Sequence, residues 1–376
     1  MVSRVGFVGG AERVLINTAS VLMNHGYQVV LACPVPGPLS DEAVRHGIEL
    51  SPIAIDRTKA TTSPRILLRQ LIQFFQGRKQ ITRLVETLRP DVIHVHHPVG
   101  GLYCIQAARA SKVPLLMHVH ETLPLPIHYK LLARLVYRHS NHLIGVSEKS
   151  CDMIRSLGIP ADRVSRIYNG VAPAFLEDVE PVEELRGPGP HIGIFGAIEP
   201  RKGQEYFIRA ATKVLQNHPT SKFWVVGSTS YQDNEVYFEH LKDLAGSLQI
   251  AQHIRFVGFR RDVPQWMAGM DVIVLASTGM EALPTVIIEA GALGVPVVAT
   301  TVGGVAEILT HGETGMLVPP KDPDLIAEAV GQLLGPKGNT VSQRVKFSIR
   351  AKFSRSLFDH AILNCYKSLS HENAVE

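Results

Sequence analysis

Short apolar runs alternate with longer stretches of helical spacing along the whole chain. In the first half the runs are QVVLAC (28–33), IELSPIA (48–54), DVIHVH (91–96), LLMHVH (115–120), HLIGVS (142–147) and SRIYNG (165–170). In the second half they are HIGIFG (191–196), FWVVGS (223–228), IRFVGF (254–259), DVIVLAS (271–277), VPVVATT (295–301) and GMLVPP (315–320). These runs are rich in Val and Ile, bounded by Gly, Pro, Ser or Asn, and mostly apolar on both faces. That pattern predicts buried parallel strands. Their alternation with helices predicts βαβ units with right-handed crossovers. A first unit needs a strand ahead of the helix AERVLINTASVLMNHG (11–26), and only the short RVGFV, 4–8, is available for it. Near the end, Phe353, Leu357, Ala361 and Cys365 fall at helical spacing in SIRAKFSRSLFDHAILNCYKSL.

Between the halves, LEDVEPVEELRGPGPH (176–191) is acidic and then rich in Pro and Gly, as an interdomain linker is. The expected architecture is α/β: two doubly wound, Rossmann-like domains facing each other across a cleft. The expected bounds are 1–176, a linker over 177–190, a second domain over 191–350, and a terminal helix over 351–376 packed on one or both domains.

Composition changes this picture little. Of 376 residues, 45% are hydrophobic and 19% charged, which favours large cores over disorder. A formal net charge of +4 is too mild to argue for nucleic acid, and none is expected as a partner. Cys33, Cys104, Cys151 and Cys365 are scattered and form no CxxC, which fits a reducing cytoplasm. The N-terminus has no signal pattern, and no apolar run approaches the roughly 18–20 residues of a membrane span. The expectation is a cytoplasmic protein.

Candidate chemistry gathers at three strand–loop–helix junctions. In STGMEALPTVIIEAGALGVPVV (277–298), Glu281 lies in the loop beyond a strand, and Pro284 opens a helix that Gly294 and Pro296 end. The helix N-terminus offers N–H groups and a positive dipole end to a phosphate. Glu289, inside that helix, should project near the same crevice, where a carboxylate suits ribose hydroxyls. In IGIFGAIEPRKGQEYFI (192–208), Gly196 marks the turn, and Arg201 and Lys202 supply the cations that a diphosphate needs. TTVGGVAEI (300–308) is a third such turn.

Taken in order, GAIEPRKGQE, GFRRDVPQWMAGMDVIVLAS, GMEALPTVIIEA and VGGVAEILTHGETGMLVPP resemble the retaining, nucleotide-sugar-dependent glycosyltransferases of family 4 (group 1), which have the GT-B fold. GGAERVL (9–15), DVIHVHH (91–97), VPLLMHVHE (113–121), LIGVSEKS (143–150) and RIYNGV (166–171) extend the resemblance over nearly the whole chain. The resemblance makes Glu281 and Glu289 the ends of the family's glutamate-seven-glutamate motif. It implies that Glu281 holds the transferred sugar and that Glu289 binds the ribose. Lys202 would neutralise the departing diphosphate. Backbone groups of Leu283, of Pro284's successor Thr285 and of the Gly9–Gly10 turn would cradle phosphate or sugar. His120 would lie beside the donor sugar. The resemblance also implies a front-face route in which the leaving phosphate accepts the acceptor's proton. No metal or cofactor is expected; the nucleotide sugar is a co-substrate, a UDP-sugar ahead of a GDP-sugar. Where the family usually has an arginine soon after the first glycine of this half, the chain has Ala197, with Arg201 as the available substitute. The usual Gly and Phe after the first glutamate are Ala282 and Leu283. Base recognition is expected from backbone near Val257–Arg261.

Other readings compete. His94 with His96, and His118 with His120, are two HxH pairs whose side chains share a strand face and could hold zinc. The preferred reading makes them polar residues at a cleft edge. Asp322 and Asp324 spell D-x-D, read here as a helix N-cap. The segment 57–89 sets Arg57, Lys59, Arg65, Arg69, Arg78, Lys79, Arg83 and Arg89 among Ile66, Leu67, Leu71, Ile72, Phe74 and Phe75, with Glu86 the single acid. It reads either as a solvated helix face or as a surface for an anionic membrane, with YKLLARLVYRHS (129–140) as a second patch. The membrane reading implies a lipid-linked acceptor and peripheral attachment. The expected function is transfer of a hexose or N-acetylhexosamine to a glycan or lipid-linked glycan. Impaired GT-B-like binding without transfer, or epimerisation, are the alternatives.

Overall fold

The structure is a computed structural model that describes residues 1–54, 63–122, 126–229 and 234–372. The strands are β1 (Val30–Cys33), β2 (Glu49–Pro52), β3 (Ile93–Val95), β4 (Leu115–Val119), β5 (His142–Gly145), β6 (Val164–Arg166), β7 (His191–Phe195), β8 (Lys222–Val226), β9 (Ile254–Gly258), β10 (Val272–Leu275), β11 (Val297–Thr300) and β12 (Met316–Val318). Each lies within or beside an apolar run picked out from the sequence. All the ladders among them are parallel.

The chain forms two compact units: Met1–Asn169 with Ser356–Glu376, and Gly170–Arg355. The acidic, Pro/Gly-rich stretch 177–190 therefore lies within unit two rather than between the units. Contacts of the stretch explain this: Pro181 and Leu185 lie against Gly269, and Gly189 lies against Thr220 O, while just ahead of it Val171 N donates to Phe353 O at 2.9 Å and the Arg350 guanidinium to Leu176 O at 3.1 Å. Leu185, in the same stretch, is buried.

In unit one, β3-β4-β5-β6 form one ladder and β1-β2 another. Val2 joins them, bridging Ala32 on one side and Val95 on the other. Val2 N donates to His94 O and Ser3 N to Ala32 O, both at 2.9 Å. The missing first strand is thus supplied around Val2, not by RVGFV, whose residues 4–8 are bends and irregular backbone. The helix Gly10–Asn24 follows and buries Leu15, Ala19 and Leu22 against β1.

The last helix, Arg355–Glu372, completes the same core with Phe358, Ile362, Cys365, Tyr366 and Leu369. This is not the stripe that the spacing predicts. Phe353 caps the preceding helix, Pro336–Lys352, and Leu357 is exposed. The break near Ser354 rotates the helical register, so the buried face begins at Phe358.

In unit two the strand order among the described residues is β12-β11-β10-β7-β8-β9. The chain enters at β7, builds outward through β8 and β9, then returns to β10 on the other side of β7. The β7/β10 boundary is therefore the topological switch point, where the loops beyond the two strands diverge and leave a crevice. The loops that follow β7 and β10 are those carrying Arg201, Lys202 and Glu281.

Candidate active site

Three turns pack together beyond the strand ends of unit two. Gly203 (φ +73°) lies on Ala276, just past β10, and Thr278 N donates to Arg201 O at 2.8 Å. Gly303 (φ +53°) lies on Glu281, whose carbonyl accepts from Gly304 N at 2.9 Å. At either glycine a Cβ would overlap the carbonyl oxygen of its neighbour, Ala276 or Glu281. Glycine is needed at both for the close approach and for the left-handed backbone.

This packing buries Glu281 to 7% exposure. Its Oε1 accepts from Lys202 Nζ at 2.6 Å, from Ser277 Oγ at 2.7 Å and from Arg201 Nη1 at 3.2 Å. Burial alone would raise its carboxyl pKa. The charges of Lys202 and Arg201, with the hydrogen bonds from Lys202 and Ser277, outweigh burial and hold it below the usual carboxylate range. Arg201 is further fixed by Met280 O (2.7 Å) and Glu199 Oε1 (2.6 Å). Thr300 Oγ1 donates to Ser277 O at 2.6 Å and ties β11 to the same cluster.

Pro284 is the N-cap of the helix Thr285–Leu293; Leu283, just ahead of it, and Glu289, within it, are buried. Its first turn carries N–H groups without intrahelical acceptors. Gly196, at the end of β7, has φ +138° and donates to Val226 O at 3.0 Å. Unit two therefore brings Glu281, Lys202 and Arg201 together, with Gly196 beside Lys202; Leu283, Pro284 and Thr285 follow Glu281 along the chain, and Glu289 lies in the helix they lead into. Two cations and a helix N-terminus beside a buried carboxylate can bind a diphosphate and the sugar attached to it. Ser277 and Glu199 escaped sequence reasoning; the position of Ser277 at a strand end was its only signal.

Unit one carries the other predicted residues. Gly9 caps the helix Gly10–Asn24, and its N–H donates to Glu12 Oε2 at 3.0 Å. His120 Nε2 lies 3.1 Å from His96 Nδ1. The two HxH pairs stack: ring centroids are 4.6 Å apart for His94–His96 and 4.7 Å for His118–His120. Burial holds all four imidazoles well below their ordinary pKa, and so neutral. Glu121, which nothing in its sequence context marks as a site residue, lies in the same unit. Its Oε1 accepts from the Tyr129 hydroxyl at 2.7 Å, its Oε2 is buried without a partner, and burial raises its pKa to about 7.

The remaining candidates resolve locally. Asp322 caps the helix Pro323–Leu334, accepting from Asp324 N and Leu325 N, and Asp324 pairs with Lys213 at 2.7 Å. Arg57 and Lys59 lie outside the described residues. Along the helix Pro64–Leu88, Ile66, Leu68, Leu71, Ile72 and Phe75 are exposed. Phe74 instead turns onto Tyr103, centroids 4.9 Å apart. Ile127, Leu131 and Leu135 of the helix Ile127–His139 are exposed as well. Among the described residues no helix is long and apolar enough to cross a membrane.

Residues 8–175 match the family described as Glycosyltransferase Family 4, and residues 189–335 the family described as Glycosyl transferases group 1. The UDP-Gal:alpha-D-GlcNAc-diphosphoundecaprenol alpha-1,3-galactosyltransferase of Escherichia coli is 24% identical over 88% of this chain and 86% of its own. The phosphatidyl-myo-inositol mannosyltransferase of Mycolicibacterium smegmatis is 25% identical over 96% of this chain and 91% of its own. Anabaena HepE, solved in complex with UDP-glucose, is alike in fold, with a TM-score of 0.81, 24% identity and 98% of each chain covered.

Proposed function

Because the chain belongs to the group 1, family 4 glycosyltransferases and has their two-domain GT-B fold, we propose that it transfers a hexose or N-acetylhexosamine, with retention, from a nucleotide-diphosphate sugar to a glycan or lipid-linked glycan. The observation that carries this reading is the convergence of Lys202 and Arg201 on Glu281 at the switch point of unit two. When the sugar–phosphate bond breaks, negative charge grows on the diphosphate and positive charge on the anomeric carbon. Lys202, Arg201 and the N-terminus of the helix Thr285–Leu293 stabilise the first; the Glu281 carboxylate steadies the second. The acceptor oxygen bonds to the anomeric carbon on the face the phosphate leaves, and the phosphate takes its proton. No metal enters the step. Glu289 takes the ribose hydroxyls. His120, Gly9 and Gly10 are assigned to the donor on the family resemblance alone.

A UDP-sugar is the favoured donor, a reading supported by the uridine-dependent galactosyltransferase among the relatives and by the UDP-glucose complex of the structural neighbour. The acceptor is a lipid-linked glycan held at an anionic membrane by the exposed apolar and basic face of residues 63–89, since relatives named for diphosphoundecaprenol and phosphatidyl-inositol substrates act on lipids.

The test is thermal stability with UDP, GDP, ADP and their common sugars, on wild type and Glu289→Ala. A ligand at a hundredfold over its dissociation constant adds about 2.7 kcal/mol. The expected result is a shift of several degrees with a uridine nucleotide, much reduced in the variant, followed by turnover with that donor. Stabilisation without product on any acceptor would favour a binder that no longer transfers. No stabilisation by any nucleotide overturns the donor site.

A further inference from the structure

The histidines of unit one form an arrangement that the transfer reaction does not use. His94 lies on β3 and His96 just past its last residue, Val95, while His118 lies on β4; the extended alternation and the ring contacts put the three on one face. The parallel register pairs His94 with Leu116 and Val95 with Met117, which sets His96 beside His118. Centroids are 4.8 Å apart for His96–His118 and 5.5 Å for His94–His118. One ring nitrogen from each of the three lies within 4.8 Å of those of the other two. Their exposures are 1%, 5% and 0%.

The hydrogen bonds divide the ring nitrogens in a telling way. His94 Nδ1 lies 2.7 Å from the Tyr366 hydroxyl, and His96 Nδ1 lies 3.1 Å from His120 Nε2. His94 Nε2, His96 Nε2 and both nitrogens of His118 are buried with no protein partner. Buried polar atoms are nearly always satisfied. The tautomer that places the proton on Nδ1, donated to the Tyr366 hydroxyl and to His120 Nε2, leaves the Nε2 lone pairs of His94 and His96 available to a ligand. Metal-binding histidines are oriented in this way, one nitrogen on the metal and the other held by a hydrogen-bond partner.

We propose that His94, His96 and His118 bind a divalent transition-metal ion of the zinc type. Three neutral imidazoles without a carboxylate suit zinc, cobalt, nickel or copper, and do not suit magnesium or calcium. Zinc-bound nitrogens in a tetrahedron sit about 3.3 Å apart, so small ring rotations close the site around the ion. Water completes the tetrahedron. The ion is structural: it fastens β3 to β4 and, through Tyr366, to the last helix. The site lies wholly in unit one, and no step of the proposed transfer passes through it.

The test uses the full chain without a polyhistidine tag, stripped on chelating resin and titrated with Co²⁺ and then Zn²⁺. The expected result is one equivalent of Co²⁺ with the intense visible bands of four-coordinate cobalt, displaced by Zn²⁺. The melting temperature should rise by several degrees at Zn²⁺ a hundredfold over its dissociation constant. His118→Gln should lose both effects. His253→Gln, which alters a unit-two imidazole bonded to Ser221 O, should keep both. Weak octahedral cobalt bands alone, or binding that survives His118→Gln, would mean surface histidines only and would overturn the site. Should His118→Gln fail to fold, the cobalt spectrum of the wild type decides by itself.

Discussion

At the scale of single residues, the environment of Glu281 is the most consequential in unit two. Removing one partner of a buried ion pair typically costs about 3–5 kcal/mol, because the other charge is left uncompensated. Lys202→Met leaves Glu281 with Arg201, which is 40% exposed and shared with Glu199. The expected loss of stability is therefore near the lower figure, about 3 kcal/mol, read by urea unfolding. Both tryptophans, Trp224 and Trp266, belong to unit two, so their fluorescence follows this unit alone. An unchanged midpoint would show that Arg201 and Ser277 suffice. Under the proposed reaction the same variant also loses about 10²–10³ in turnover, the usual cost of one leaving-group donor. Ser277→Ala removes one hydrogen bond to a charged group and is expected to cost about 1.5–3 kcal/mol in the same unfolding experiment.

At the scale of elements, turns and a terminal helix decide what the strands can do. Gly303→Ala forces a side chain against the Glu281 carbonyl in a left-handed backbone. The turn must move, and Glu281 with it; under the proposed donor site the expected outcome is weaker nucleotide binding by calorimetry with the β-sheet content intact. Phe358→Ala opens a cavity in the core shared by the helices Gly10–Asn24 and Arg355–Glu372. Its expected cost is about 3–5 kcal/mol, seen by far-UV circular dichroism and not by tryptophan fluorescence. Most of the strands were legible because buried parallel β-structure needs apolar, Val- and Ile-rich runs; β2 (ELSP) and β6 (VSR) carry little of that signal themselves and were found from the apolar residues beside them. The first pairing was not legible, since it rests on Val2 and its neighbours rather than on a run. The final helix was legible as a helix but not by face, because its register depends on the break near Ser354. Glu281, Lys202 and Arg201 were legible as loop residues at strand ends. Ser277, Glu199 and Glu121 acquire meaning only through packing that brings distant segments together.

At the scale of the whole molecule, the two units should respond differently to acid. His94, His96, His97, His118 and His120 lie in unit one, with pKa values lowered first by burial. Each binds fewer protons folded than unfolded below the ordinary value of 6.5, so its contribution to stability is lost as pH falls from there. The slope is at most about 1.4 kcal/mol per pH unit for each group. Glu121 opposes them: raised to about 7, it keeps its proton in the fold between pH 4.5 and 7 and favours folding as pH falls across that window. Five groups outweigh one. Glu281 is lowered, and its contribution persists until pH drops below 4.5. In metal-stripped protein, helical signal should therefore decline between pH 6.5 and 5 while tryptophan fluorescence holds; coincident transitions would contradict this. The division of the chain has one more consequence. Unit two is a continuous segment, whereas unit one is closed by residues after Ser356. On the ribosome, where domains generally fold as they emerge, the segment translated first must wait for the last helix. The second unit can mature while the first is still open, and a nascent chain halted at Arg355 would present a finished second unit and an unfinished first one for chaperones to hold.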